Sequence, residues 1–94
     1  MSDAVALHLR ITGRVQGVGY RYWTVEQAMA RGLAGWVRNR RDGSVEALVA
    51  GPAARVREMA EACRQGPLGA RVTDVQESSA ELPADSGFRQ LATE

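Results

Sequence analysis

The residue types best suited to chemistry lie together in one glycine-rich stretch, Gly13-Arg14-Val15-Gln16-Gly17-Val18-Gly19-Tyr20-Arg21. Its glycines permit tight turns and leave little side-chain bulk above the backbone. A loop of this kind that opens into a helix can direct several N–H groups at one point, and the positive end of the helix dipole adds to them. Arg21 supplies a fixed positive charge and a planar fork of donors suited to phosphate or carboxylate. The stretch therefore predicts an anion-binding cradle; the alternative is a tight strand-to-helix turn whose arginine is solvated.

The stretch matches neither of the common nucleotide-binding motifs. A Walker A loop needs Gly-Lys-Ser/Thr after its glycines, and none follows here. A dinucleotide fingerprint needs a third glycine after Gly17-x-Gly19, which is also missing. All 12 residues counted as Lys plus Arg are arginine, so Schiff-base chemistry and a P-loop lysine are both excluded.

Composition predicts one globular domain, residues 1–94, in the cytoplasm. The hydrophobic share of 45% is ordinary for a folded protein, and a net charge of +1 gives no general attraction to nucleic acid or membranes. Cys63 is the single cysteine and cannot form an internal disulfide, which favours a reducing compartment. We see no signal peptide at the N-terminus and no apolar run long enough to span a membrane.

The elements that must position the cradle follow from hydrophobic periodicity. Alternation predicts a strand over 5–12, and helical spacing predicts a helix over 22–31 with Val25, Ala28, Met29 and Gly32 on one side. Gly32 and Leu33 predict a left-handed helix end closed by an apolar residue. Residues 36–41 predict a second strand, and Asp42-Gly43 predicts a two-residue hairpin.

Three further strands and a second helix are predicted in the second half of the chain. Residues 45–50 predict the third strand, and a helix follows Gly51-Pro52 with one apolar face made of Val56, Met59, Ala60 and Cys63. Residues 70–77 predict the fourth strand with a bulge between Val72 and Val75, and residues 87–91 a short closing strand. The order βαββαβ predicts an α+β, ferredoxin-like split βαβ sandwich: two helices on one face of an antiparallel sheet, with a short extra C-terminal strand. Such folds host enzymes, RNA binders and regulatory modules, so the fold alone names no function.

Several of these stretches together resemble the acylphosphatase family. The resemblance rests on 13–21, on Gly32-Leu33-Ala34-Gly35-Trp36-Val37-Arg38-Asn39 and on Asp42-Gly43-Ser44-Val45-Glu46, with weaker support from Gly51-Pro52, Gly66-Pro67 and Gly87-Phe88. It covers nearly the whole chain in the expected order. Tyr20 stands where the family often has phenylalanine, which keeps the aromatic ring and adds a hydroxyl.

The resemblance implies a site and a reaction. The Arg21 side chain would bind the phosphate of an acyl phosphate, and the Asn39 side-chain amide would hold the attacking water. The backbone amides that would also bind the phosphate are those of Gln16, Gly17, Val18, Gly19 and Tyr20. The products would be a carboxylate and inorganic phosphate, with no metal and no organic cofactor.

This reaction needs few ionisable side chains at the site, in keeping with the lack of an obvious acid or base among the candidate residues. The leaving carboxylate has a conjugate acid with a pKa of about 4, so it needs little protonation. Phosphoryl transfer depends mainly on positioning and on neutralising charge on the equatorial oxygens. Asn39 can orient a water but cannot deprotonate it, so our hypothesis is that a phosphate oxygen of the substrate accepts the proton.

Other residues and other functions are weaker alternatives. His8 is interpreted as a sheet-face residue and Cys63 as core packing, whereas Arg38, Arg40 and Arg41 could provide a positive field or simply protect an edge strand with charge. A non-catalytic module that binds an anion or acyl phosphate is the first rival function. An RNA-binding domain is the second, but the first strand lacks the stacking rings that it needs. Together with the resemblance, the sequence implies a small acyl phosphate as substrate and no nucleic-acid partner. A monomer is expected, because the apolar residues all find plausible core positions.

Overall fold

The computed structural model describes residues 3–94, which form two helices and five strands. In chain order these are β1 Ala4–Arg14, α1 Tyr20–Ala30, β2 Ala34–Asn39, β3 Val45–Pro52, α2 Ala53–Gln65, β4 Arg71–Ser79 and β5 Phe88–Gln90. Both helices pack on one face of a single sheet with the strand order β4-β1-β3-β2-β5. The predicted ferredoxin-like sandwich is confirmed. Within residues 3–94 neither helix has the length and apolar character that crossing a membrane requires.

The direction of the last strand differs from the expected antiparallel sheet. The first four strands pair antiparallel, but β5 runs parallel to β2, so the sheet is mixed. The last residues of β4 and the first residues of β2 lie at the same end of the sheet. A chain that crosses from β4 to the far edge at this end therefore enters β5 beside the start of β2 and runs parallel to it. This crossing brings the C-terminal residues next to the end of β2, where Asn39 lies.

The core confirms one predicted helix face and corrects the other. On α2, Val56, Met59, Ala60 and Cys63 are all 0–1% exposed, as expected. On α1 the buried residues are Tyr20, Thr24 and Ala28, whereas Met29 is 66% exposed and the prediction for it was wrong. The helix starts two residues earlier than expected and is anchored by the Tyr20 ring. The Thr24 hydroxyl can be buried on this face because it donates to the Tyr20 carbonyl at 2.8 Å.

The two turns of the first half show one confirmed and one wrong prediction. Gly32 has φ 66° and donates to the Met29 carbonyl, while Leu33 donates to the Ala28 carbonyl, which is the predicted left-handed helix end. The hairpin after β2 has three residues in its loop instead of two, since Arg40 and Ser44 form its closing pair. Gly43 with φ 97° and an Asp42 side chain that accepts from Ser44 favour this longer turn.

The predicted bulge in β4 lies directly beside the glycine-rich stretch. Thr12 pairs with Asp74 and Gly13 with Val72, so Thr73 is the extra residue. Gly13 has φ 122°, and a Cβ atom there would lie 2.2 Å from the Arg71 carbonyl oxygen. Only glycine therefore fits where β1 passes the bulge and leads into the loop.

Candidate active site

A cavity of about 170 Å³ lies between the glycine-rich loop, the start of α1, the end of β2 and β5. It is lined by Gly17, Gly19, Tyr20, Arg21, Tyr22, Asn39 and Gln90. Five of the seven residues that the sequence suggested therefore share one cavity, including both proposed catalytic residues. Gln16 and Val18 adjoin it without lining it. The roles in binding and catalysis remain predictions for all seven residues.

The loop presents an uncapped helix N-terminus to the cavity. Gly17 and Gly19 adopt left-handed conformations, with φ 75° and 78°, in which other residues would be strained. Gly19 is the N-cap of α1 and offers no side chain to its first N–H groups, and the first turn has no acidic residue. The positive end of the helix dipole is thus left for an external anion.

The loop is anchored on both sides by buried side chains. Val15 is 1% exposed and Tyr20 is 2% exposed, and Val18 packs partly against the core. The Tyr20 hydroxyl donates to the Cys63 carbonyl at 2.6 Å, and burial raises the pKa of Tyr20 far above its usual value. The hydroxyl therefore serves as a hydrogen-bond donor that joins the loop to α2.

Gln16 contacts the opposite wall of the site through its side chain. Its Nε2 atom donates to the Arg40 carbonyl at 2.7 Å and to the Ser44 carbonyl at 2.9 Å. Both acceptors belong to the hairpin that begins directly after Asn39. The side chain thereby connects the glycine-rich loop to the strand end that carries Asn39.

Arg21 is half-buried and keeps its charge available. Its Nη1 atom donates to the Leu91 carbonyl at 3.3 Å, which holds the side chain against the C-terminal segment. In the part of the chain that the structure describes, no carboxylate forms an ion pair with it. A guanidinium fixed by one neutral acceptor still has donors for an anion.

Asn39 is the last residue of β2, and its backbone is held from two sides. It pairs with Val45 of β3, and its carbonyl accepts a hydrogen bond from the Glu94 N–H at 3.1 Å. Within residues 3–94 its side-chain amide has no hydrogen-bond partner. A fixed backbone with an uncommitted amide is suited to orienting a small molecule in the cavity.

His8, Arg38 and Arg40 lie outside the cavity, around Glu46 on the sheet face away from the helices. Glu46 accepts hydrogen bonds there from His8 at 2.6 Å and from Arg38 at 2.8 Å, and it lies 3.4 Å from Arg40. Arg38 also lies over the Trp36 ring, at 4.8 Å from its centroid. The positive field considered for these arginines is thus largely neutralised at Arg38 and Arg40. The edge-strand alternative is wrong, because β2 lies between β3 and β5.

Tyr22 and Gln90 are the cavity residues that sequence reasoning missed. Tyr22 follows Arg21 on the first turn of α1, so its position next to the loop was a usable signal. Gln90 reaches the site only because β5 pairs parallel with β2. No local pattern predicts that pairing.

Comparisons with known proteins show the family to which the chain is similar. Residues 7–90 match the family described as Acylphosphatase. A curated relative named "Acylphosphatase" from Azorhizobium caulinodans is 57% identical over 88 residues, covering 93% of this chain and 95% of the relative. The crystal structure of acylphosphatase from Bacillus subtilis has a TM-score of 0.89 at 38% identity and covers 93% of this chain and 98% of that one.

A second solved structure, of an acylphosphatase from Coxiella burnetii, has a TM-score of 0.91 at 29% identity. It covers 95% of this chain and 94% of that one. The resemblance inferred from the glycine-rich stretch and the Trp36–Asn39 region is thus confirmed over nearly the whole chain. The chain belongs to the acylphosphatase family.

Proposed function

We propose that this chain hydrolyses the carboxyl–phosphate bond of small acyl phosphates, releasing a carboxylate and inorganic phosphate. The observation that carries the proposal is that Arg21 and Asn39 face one cavity together with the uncapped start of α1. One group can neutralise a phosphate and the other can orient a water, and both lie on elements held by backbone hydrogen bonds.

The phosphate would be bound by the backbone N–H groups of residues 16–20 and by the Arg21 guanidinium. The left-handed Gly17 and Gly19 and the missing side-chain cap support this assignment. As charge spreads over the equatorial oxygens in the transition state, donors that are already in place stabilise it without reorganisation. The cradle therefore serves both substrate binding and catalysis.

The Asn39 amide would hold the attacking water in line with the leaving carboxylate. An amide has no useful basicity, so a phosphate oxygen of the substrate accepts the water's proton in this proposal. Burial raises the pKa of Cys63 to about 11, and the Tyr20 hydroxyl is committed to the Cys63 carbonyl. His8 lies on the other face of the sheet, bonded to Glu46. These positions support a reaction without an enzymatic base.

The proposal includes a monomer in the cytoplasm that uses no metal or cofactor and binds no nucleic acid. The buried, unpaired Cys63 supports a reducing setting. The sheet face away from the helices argues against RNA binding. Its central strands, β1 and β3, present His8, Leu48 and the Glu46 carboxylate where stacking rings would be needed. The expectation that all apolar residues lie in the core was wrong for five large side chains, which are exposed: Val5, Tyr22, Met29, Leu68 and Leu82.

The test is release of phosphate from benzoyl phosphate, with a chelator present, by the wild type and by Asn39→Ala. We expect rapid hydrolysis by the wild type and a loss of about 100- to 1000-fold in kcat in the variant. Inorganic phosphate should still bind to Asn39→Ala in calorimetry. Gln76→Ala, which removes an exposed amide from β4, is the control and should match the wild type.

The binding-module alternative makes the opposite prediction. A wild type that binds phosphate but leaves benzoyl phosphate intact would support a non-catalytic anion binder. Hydrolysis that Asn39→Ala leaves unchanged would keep the enzyme and remove the water-holding role from Asn39.

A further inference from the structure

The cavity extends beyond the residues assigned to phosphate and water, as far as Tyr22 and Gln90. Tyr22 is 66% exposed, although its side chain is large and aromatic. Its hydroxyl forms no hydrogen bond with any residue in the range 3–94. A large aromatic ring beside the catalytic arginine, with no partner of its own, is available to a bound molecule.

The charges around the cavity limit what that molecule can be. Among the lining residues Arg21 is the only one that carries a charge at neutral pH. One guanidinium and a helix N-terminus can balance the phosphate group. A second anionic group on the substrate would find no counter-charge inside the cavity, whereas a neutral group would need none.

We propose that Tyr22 and Gln90 form the contact surface for the acyl group and that they favour neutral, aromatic acyl groups. This inference rests on the proposed function, because it assigns the other end of the same substrate. With the phosphate anchored at the loop, the acyl group must leave the cradle along the remaining lining residues. The Tyr22 ring offers stacking or edge contacts, and the Gln90 amide can hydrogen-bond to the acyl carbonyl.

The contact should act on substrate binding more than on the chemical step. The acyl ring touches Tyr22 in the ground state and in the transition state alike, and such uniform binding lowers KM without raising kcat. A contact between two aromatic rings raises binding affinity roughly two- to tenfold.

The experiment compares kcat/KM for benzoyl phosphate and acetyl phosphate in the wild type, Tyr22→Ala, Tyr22→Phe and Met29→Ala. Met29 is the matched control, because it is an equally exposed, large apolar residue on the same helix. We expect the benzoyl-to-acetyl ratio to fall roughly two- to tenfold in Tyr22→Ala, through a higher KM for benzoyl phosphate. The ratio should stay at the wild-type value in Tyr22→Phe and Met29→Ala.

A second comparison tests the charge argument with butyryl phosphate and succinyl phosphate, which differ mainly by a terminal carboxylate. We expect the wild type to have the higher kcat/KM for butyryl phosphate. Equal or better use of succinyl phosphate would overturn the preference for neutral acyl groups. An unchanged benzoyl-to-acetyl ratio in Tyr22→Ala would overturn the role of Tyr22.

These outcomes are distinct from failure of the proposed function. If the wild type hydrolyses none of the four acyl phosphates, the enzyme assignment itself fails. If it hydrolyses them and only the ratios contradict expectation, the enzyme stands and the acyl-group inference falls. Inorganic phosphate has no acyl group, so its competitive inhibition constant should be the same for Tyr22→Ala as for the wild type. This measurement separates loss of the acyl-group contact from damage to the cradle.

Discussion

The Gln16 side chain donates one hydrogen bond to the Arg40 carbonyl at 2.7 Å and a second to the Ser44 carbonyl at 2.9 Å. It therefore fixes the distance between the glycine-rich loop and the hairpin that follows Asn39. Arg40 and Ser44 also bond to each other, N–H to carbonyl at 2.8 Å, so the hairpin is a rigid support for the loop. The two halves of the proposed site are joined at this point.

Replacing Gln16 with leucine should loosen this connection without removing the backbone amide of residue 16. Loss of two partly buried hydrogen bonds should lower the free energy of unfolding by about 1–3 kcal/mol. Since small misplacements of catalytic groups are costly, we expect kcat/KM for benzoyl phosphate to fall about 10- to 100-fold. Urea denaturation and steady-state kinetics measure the two effects.

Gln65→Leu is the control for Gln16→Leu, because Gln65 is exposed at the end of α2 and makes no side-chain hydrogen bond within residues 3–94. It should leave both stability and kinetics near the wild-type values. Wild-type kinetics in Gln16→Leu would show that the site keeps its geometry without this connection.

Arg21 is the charge on which the proposed site depends. Arg21→Met should lower kcat/KM about 100- to 1000-fold, because it removes a preorganised donor for the transition state. Inorganic phosphate should also bind more weakly, since in the proposed site the guanidinium contacts the bound phosphate as well as the transition state. Arg21→Lys should recover only part of the activity, because a point charge replaces a planar fork.

Arg41→Met provides the comparison for Arg21→Met. Arg41 is exposed, and its side chain forms no ion pair in the described part of the chain. The net charge changes equally in both variants, so only a loss confined to Arg21→Met supports a local role. Equal losses would point to a general electrostatic effect instead.

The Tyr20 hydroxyl donates a hydrogen bond to a backbone carbonyl for which helix α2 has no donor of its own. In a continuing helix the Cys63 carbonyl would accept from the N–H of residue 67, but that residue is Pro67 and has none. The hydroxyl donates to this carbonyl at 2.6 Å in a buried position. Tyr20→Phe should therefore lower the free energy of unfolding by about 1–3 kcal/mol, as measured by chemical denaturation.

Tyr22→Phe removes the same group from an exposed position and should leave the free energy of unfolding within about 0.5 kcal/mol of the wild type. Because Tyr20→Phe keeps the backbone amide and the ring, its kcat/KM should stay close to the wild type. Equal stability of Tyr20→Phe and the wild type would mean that water satisfies the Cys63 carbonyl.

Features that depend on neighbouring residues in the chain were predictable from the sequence. The apolar stripe of α2 repeats at helical spacing between two Gly-Pro pairs, and Gly32-Leu33 has the residue types that a left-handed helix end requires. The bulge at Thr73 was indicated by the broken alternation between Val72 and Val75. Each of these signals lies within a few residues.

Features that depend on tertiary contacts were not predictable in this way. The inward face of α1 is set by the Tyr20 ring and by the bond that lets Thr24 be buried, whereas helical spacing alone favoured Met29. Gln90 joins the site because of the direction of β5, which follows from where β4 ends. Gln16 was recognised for its backbone amide, but nothing local indicated that its side chain contacts the hairpin.

Glu46 should make the free energy of unfolding depend on pH in the acidic range. Burial alone would raise its pKa, but hydrogen bonds from His8 and Arg38 outweigh burial and hold the pKa below its usual value. Its contribution is therefore present above the unfolded-state pKa of about 4.3 and is lost as the pH falls through the lower folded-state pKa. Glu46→Gln should be about 1–3 kcal/mol less stable than the wild type at pH 7, and urea denaturation should show this difference narrowing towards pH 2. Glu81→Gln, an exposed control with no ion pair in the described range, should match the wild type throughout, and a constant difference for Glu46→Gln would contradict the assignment.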